Sequence, residues 1–154
     1  MSGAARRVCA VVIVAAVLAA GCGGRTTGAT APSSTPIFRL DVVAQADANR
    51  GGPVYVVIRK TDTARFLSDD YDLVARGLFG REPDPRVLGK RSIAPGQTVR
   101  LDVAPDLGKG EILGVYALFS TPGPDWRIAV LDPGVTGMRI VLGRNGILSS
   151  KERR

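Results

Sequence analysis

The 154-residue chain has no histidine, two cysteines and one tryptophan, and only 5% of its residues are aromatic. Without an imidazole there is no Ser–His–Asp triad and no histidine ligand for a metal. Cys9 lies inside an apolar N-terminal run and Cys22 at its end, so a processed domain would hold no second thiol for an internal disulfide. No glycine-rich phosphate loop follows a strand and opens a helix: Gly21–Gly24 closes the N-terminal run and Gly108–Gly110 falls in a hairpin loop. The carboxylates are scattered. These absences argue against an enzyme, with a carboxylate pair across a cleft as the one acid/base arrangement left to test by geometry.

Long basic runs are missing too. The formal net charge is +7, with 21 basic and 14 acidic side chains. Setting aside Arg6 and Arg7 leaves nineteen against fourteen, spread along the chain with little aromatic interleaving. That pattern reads as a mildly basic, solvated surface and not as a nucleic-acid footprint.

The one long apolar run is Val8–Cys22, preceded by Arg6 and Arg7. A basic start, about a dozen apolar residues and a small-residue exit are the parts of a secretory signal, and the run is short of the ~20 residues of a transmembrane helix. Its exit, Leu18-Ala19-Ala20-Gly21-Cys22, resembles the lipobox of bacterial lipoproteins, with Ala19 where leucine is usual and Leu18 one place early. The resemblance implies residues 1–21 as a cleaved signal peptide and a covalent lipid on Cys22, with no other cofactor. A plain cleaved signal with an incidental cysteine is the alternative. Triacylation would exceed the two-signal threshold for stable anchoring. Gly23, in place of the Asp that marks inner-membrane retention in enteric bacteria, makes an outer-membrane, periplasm-facing location the default. Residues 22–36 then form a lipidated tether, since Gly, Ser, Thr, Ala and Pro without apolar periodicity bury too little to order themselves.

From Ile37 the chain reads as strands. Phe38, Leu40 and Val42 alternate with Arg39 and Asp41, and Val99, Leu101 and Val103 alternate with Arg100 and Asp102. Residues 53–59 are apolar on both faces, as in a strand covered on both sides, and 111–120 is a long apolar run that reads as a central strand. A weak strand falls at 87–93 and further strands at 126–131, 138–142 and from 147, the last closed by an Asn145-Gly146 hairpin. Between the second and third strands, Tyr71, Val74, Ala75 and Leu78 mark one short helix with Ser68 as N-cap and Gly77 as its stop. In that reading Asp69, Asp70 and Asp72 are helix-dipole and solvent partners. About eight strands and one helix predict a mainly all-β, two-sheet sandwich over 37–150, with a fraying basic tail at 151–154. Trp126 is expected in the core beside Ile128 and Val130. Arg127 covers apolar surface with its stem, and Tyr55, Tyr71 and Tyr116 are core or rim.

Several segments in this order resemble the TssJ (SciN) family of type VI secretion outer-membrane lipoproteins. They are Asn49 with Gly52-Pro53-Val54 and a valine-rich strand ending at Arg59; Phe66 with Asp70, Tyr71 and Leu73; Leu88-Gly89; Pro95-Gly96; Leu113–Phe119; and Asp125-Trp126-Arg127. The resemblance implies a transthyretin-like sandwich with a helical insertion. It also implies docking to the periplasmic part of a TssM-like inner-membrane protein through the loop between the first two strands. Here that loop is Gln45–Gly52, with Asp47, Asn49 and Arg50 as its polar tips, though it is short and reads equally as a plain Gly-rich hairpin connection. A different periplasmic binding module, sequestering a small ligand or inhibiting a wall hydrolase, is the competing function.

Overall fold

The computed structural model describes residues 36–154. The expected signal peptide, the expected lipidation residue Cys22 and the expected tether up to residue 35 lie outside them. The described chain forms eight strands: β1 Phe38–Ala44, β2 Val54–Asp62, β3 Val87–Ile93, β4 Thr98–Val103, β5 Glu111–Leu118, β6 Arg127–Val130, β7 Gly137–Leu142 and β8 Ile147–Arg153. They make two four-stranded sheets, ordered β4-β1-β7-β8 and β3-β2-β5-β6. All neighbours are antiparallel except β1 and β7, which run parallel. This is the two-sheet sandwich that the alternating pattern predicts.

The core lies between the sheets. Leu40 and Val42 of β1, Val56 and Ile58 of β2, Val115 of β5 and Ile140 of β7 are all inaccessible to solvent. Each such aliphatic side chain contributes about 1.5–3 kcal/mol by leaving water. β2 and β5 are buried on both faces, as their unbroken apolar runs require. Val57 and Tyr116 point away from the core into a second cluster with Leu118, Trp126, Val74 and Leu78. Helices α1 Thr63–Ser68 and α2 Tyr71–Phe79 cover that face.

The insertion departs from the single helix read from sequence. Asp62, not Ser68, opens the first helix by accepting from the Arg65 N–H, and Ser68 ends it. Asp70 caps the second, its carboxylate accepting from the N–H groups of Asp72 and Leu73 at 2.9 and 3.2 Å. An anionic side chain at that position also meets the positive end of the helix dipole. Gly77 does not stop the helix, which runs on to Phe79 before the Gly80 N–H closes on the Arg76 carbonyl. Two further expectations change. Lys151–Arg153 do not fray but continue β8 along β7, Lys151 opposite Arg139 and Arg153 opposite Gly137. Trp126 is buried, but its ring lies against Tyr71 and Tyr116 in the outer cluster and not with Ile128 and Val130. The Trp126 carbonyl still accepts from the Ala117 N–H at 2.7 Å. The residue lies just ahead of β6, where strict strand alternation has not yet set in, and its ring turns outward.

All eight strands, both helices and both apolar clusters fall within the compact unit Ser34–Arg154. That segment therefore carries a complete core and folds by itself. Its two ends differ. The β1–β2, β3–β4, β5–β6 and β7–β8 connections share one end, while the chain enters β1 and leaves β8 at the other.

Candidate functional site

The four connections at the first end are tied into one platform by backbone hydrogen bonds. Gln45 donates to the Leu142 carbonyl, Gly96 to Ala44, Asn49 to Gly143, Gly123 to Asn145 and Ile147 to Asp125, at 2.6–3.2 Å. Asp47 and Arg50 stand exposed on it, with Arg144 and Asn145 beside them. Asn49 does not. It is only 7% exposed, and its side chain donates to the Pro53 carbonyl at 2.6 Å. Its carboxamide oxygen accepts from both the N–H and the hydroxyl of Ser120, at 2.7 and 2.8 Å. Of the three residues read from sequence as polar tips, two are surface groups and the third is the tie that holds them.

The loop backbone is unusual. Asn49 (φ 47°), Arg50 (φ 54°) and Gly51 (φ 89°) are successive left-handed residues. Glycine adopts this region freely and asparagine tolerates it, but an arginine there is strained by about 1–2 kcal/mol. The turn lifts Arg50 to the surface at that cost, and strain of this kind concentrates at functional positions.

A second polar cluster, unseen from sequence, fastens the helices to the outer face of the β2–β5 sheet. Arg59 of β2, 4% exposed, places one guanidinium nitrogen 3.4 Å from Asp69 and the other 2.9 Å from Asp84. Arg86 grips Asp84 through two bonds of 3.0 and 3.1 Å. The Tyr116 hydroxyl donates to Asp69 at 2.5 Å. Arg127 donates to the backbone carbonyls of Asp69 and Leu67, its guanidinium lying 5.1 Å from the ring centres of both Phe66 and Trp126. Tyr71 donates to the Phe119 carbonyl. Asp69 is thus a junction between two helices and three strands, not a solvated helix-start acid. Its sequence signal was Arg59: a cation two places after Val57, on the same face of an apolar strand, demands a buried carboxylate.

Burial and the Asp69 carboxylate push the Tyr116 phenol well above its ordinary value. Burial works against ionisation of Asp84, but the bonds from Arg86 and the charges of Arg59 and Arg86 outweigh it and hold the carboxyl below 3.8. Asp69 and Asp84 do converge on one guanidinium, yet each is ion-paired there, and the lowered carboxyl of Asp84 is the opposite of what a general acid needs. An open hollow of about 270 Å³ between α2 and β3, lined by Leu78, Pro83, Asp84, Val87 and Leu88, falls below the usual range of ligand pockets. Among the described residues no group of three or more Cys, Asp or Glu is placed to hold a metal, and no helix is long and apolar enough to cross a membrane.

A family model, the IglE N-terminal domain, matches residues 55–142, more than half of the chain. The chain belongs to this family. The matched IglE segment runs from β2 to the end of β7 and so takes in the helical insertion and the Arg59–Asp69–Tyr116 cluster. A search of curated proteins finds no match. Among solved structures, the type VI secretion lipoprotein TssJ1 from Pseudomonas aeruginosa is similar at 19% identity, covering 78% of this chain and 98% of that one, with a TM-score of 0.57. The structure titled as the TssM C-terminal domain from EAEC is similar at 23% identity, covering 75% and 99%, with a TM-score of 0.54. Serratia marcescens Lip, described as a membrane-bound component of the type VI secretion system, is similar at 19% identity, covering 79% and 100%, with a TM-score of 0.53. This IglE-family domain therefore has the fold of TssJ-like lipoproteins.

Proposed function

We propose that this protein is a non-enzymatic, outer-membrane-anchored periplasmic lipoprotein that docks a TssM-like inner-membrane protein in a type VI secretion membrane complex. Cys22 carries the lipid, and the platform bearing Asp47 and Arg50 makes the contact. The observation that carries the reading is the build of that platform. Its exposed arginine is held in a strained backbone by a buried asparagine, at the end of the sandwich away from the residue where the chain enters. An exposed, polar loop end tied down by hydrogen bonds suits a protein partner better than a small ligand. The TssJ-like fold and the type VI secretion titles of its structural neighbours support the same reading.

The experiment is a pull-down from a detergent extract of the native cell envelope with residues 34–154 as bait. Recovery of a large inner-membrane protein with a periplasmic β-rich C-terminal part supports the docking role. Recovery of wall hydrolases or small ligands alone overturns it. In cells, Cys22→Ser should release the folded domain from membranes and abolish secretion; a membrane-bound, functional variant overturns the anchor.

A further inference from the structure

The two outer faces of the sandwich differ in kind. That of the β3-β2-β5-β6 sheet is covered by α1 and α2, whereas no described element covers that of β4-β1-β7-β8. Strand register sets its side chains in rows. One row reads Arg100, Asp41, Arg139, Lys151 across β4, β1, β7 and β8; the next reads Asp102, Arg39, Gly137, Arg153. All belong to the face opposite the core residues Leu40, Leu101 and Met138. Five cations thus stand on one sheet face with two acids, and Asp41 is already committed, bonded to Arg100 at 2.8 Å and to Arg153 at 2.9 Å. Arg39, Arg139 and Lys151 are exposed and make no ion pair among the described residues. Four strands about 4.8 Å apart place these charges within two Debye lengths of one another, so their fields add.

We propose that this face lies against anionic phospholipid headgroups as a second, electrostatic membrane contact. The inference rests on the anchoring reading above. Two observations select a lipid surface as the occupant. The face is uncovered and net positive, which complements an anionic headgroup plane. The chain also enters the domain at Phe38, beside Arg39 on this same face, only sixteen residues after Cys22. Sixteen residues reach at most about 55 Å, so a lipid on Cys22 keeps the face within range of the bilayer. Lying on this face leaves the helical side and the Asp47–Arg50 platform open to the periplasm. Anchor and face then act as paired signals, the lipid for residence and the cations for orientation.

The test uses residues 34–154, which contain neither cysteine and so take no lipid, making the outcome independent of whether Cys22 is modified. The segment is sedimented with vesicles of phosphatidylcholine alone or with 30 mol% (about) phosphatidylglycerol. Binding is expected only with the anionic lipid and should weaken as salt rises. Arg39→Gln with Arg139→Gln should lower the partition about twenty-five-fold, about fivefold per cation. Arg76→Gln with Arg81→Gln, on the helical side, should leave it unchanged. Equal binding to both vesicle types, or equal loss from the two double variants, overturns the proposal, even if acidic proteins are retained by the face. A circular dichroism spectrum of each variant confirms that these exposed substitutions leave the fold intact.

Discussion

Asn49 and Ser120, 71 residues apart, are joined twice: one carboxamide oxygen accepts from both the backbone N–H and the hydroxyl of Ser120. This pair fixes the β1–β2 connection to the end of β5. With the bond from Asn49 to Pro53, three hydrogen bonds depend on one side chain. Asn49→Ala should therefore cost about 3 kcal/mol, roughly two from lost bonds and one from alanine at positive φ. Asn49→Gly should recover about 1 kcal/mol of that. Urea unfolding measures both; an alanine variant within 0.5 kcal/mol (about) of wild type would show that the loop is not held this way.

Gly114, in the middle of β5, leaves room for the Tyr116 ring. A Cβ there would sit 2.6 Å from a ring carbon and 2.7 Å from the hydroxyl. Gly114→Ala should destabilise by about 1–3 kcal/mol through overpacking. The penalty should shrink in a Tyr116→Ala background, because neighbours that share a clash are not additive. An unchanged penalty would mean that the ring is not the obstacle.

Acid should weaken the domain through Asp41 and Asp84. The bond from Arg100, with help from Arg153, keeps the Asp41 carboxyl below 3.8, and Asp84 is lowered as described. A lowered folded-state value means that the unfolded chain binds more protons in this window, so stability rises with pH across it. The contribution is present above the unfolded value near 4 and is lost as pH falls through the folded values. Asp84→Asn should flatten the fall in melting temperature between about pH 5 and 3. An identical slope would assign the acid sensitivity elsewhere.

Arg59 is the hub of the helix clamp. Removing one partner of a buried ion pair costs about 3–5 kcal/mol where the other charge is stranded. Here that charge is Asp69, since Arg86 still holds Asp84. Arg59→Ala should show that loss in urea and expose residues 63–86 to limited proteolysis before the strands are cut. Unchanged protease resistance of the insertion would refute the clamp.

Most of the sandwich was legible in the sequence, and the reasons are local. Period-two alternation marks β1 and β4, unbroken apolar runs mark β2 and β5, and turn residues bound each strand. What escaped was decided by tertiary partners. Asn49 reads as a loop polar residue until Ser120 arrives from the other sheet. Asp69 reads as one of three helix-start acids until Arg59 and Tyr116 converge on it. Lys151–Arg153 read as a frayed basic tail because charge suggests solvent, yet charged residues are a common way to keep an edge strand from pairing with other chains. The Ser68–Asp69 break between the helices was hidden by Asp62, whose capping role shows only once β2 is known to end there.

The central claim is that Arg50 is held in strain so that the platform can dock a protein. Arg50→Gly tests it most directly, because it relieves the backbone while removing the exposed cation. Calorimetric binding of wild-type and variant 34–154 to the periplasmic domain recovered from the envelope gives the answer. The account predicts a variant as stable as wild type or more so by up to about 1 kcal/mol, with affinity at least tenfold weaker, a binding difference of about 1.4 kcal/mol. Unchanged affinity in a folded variant would contradict it.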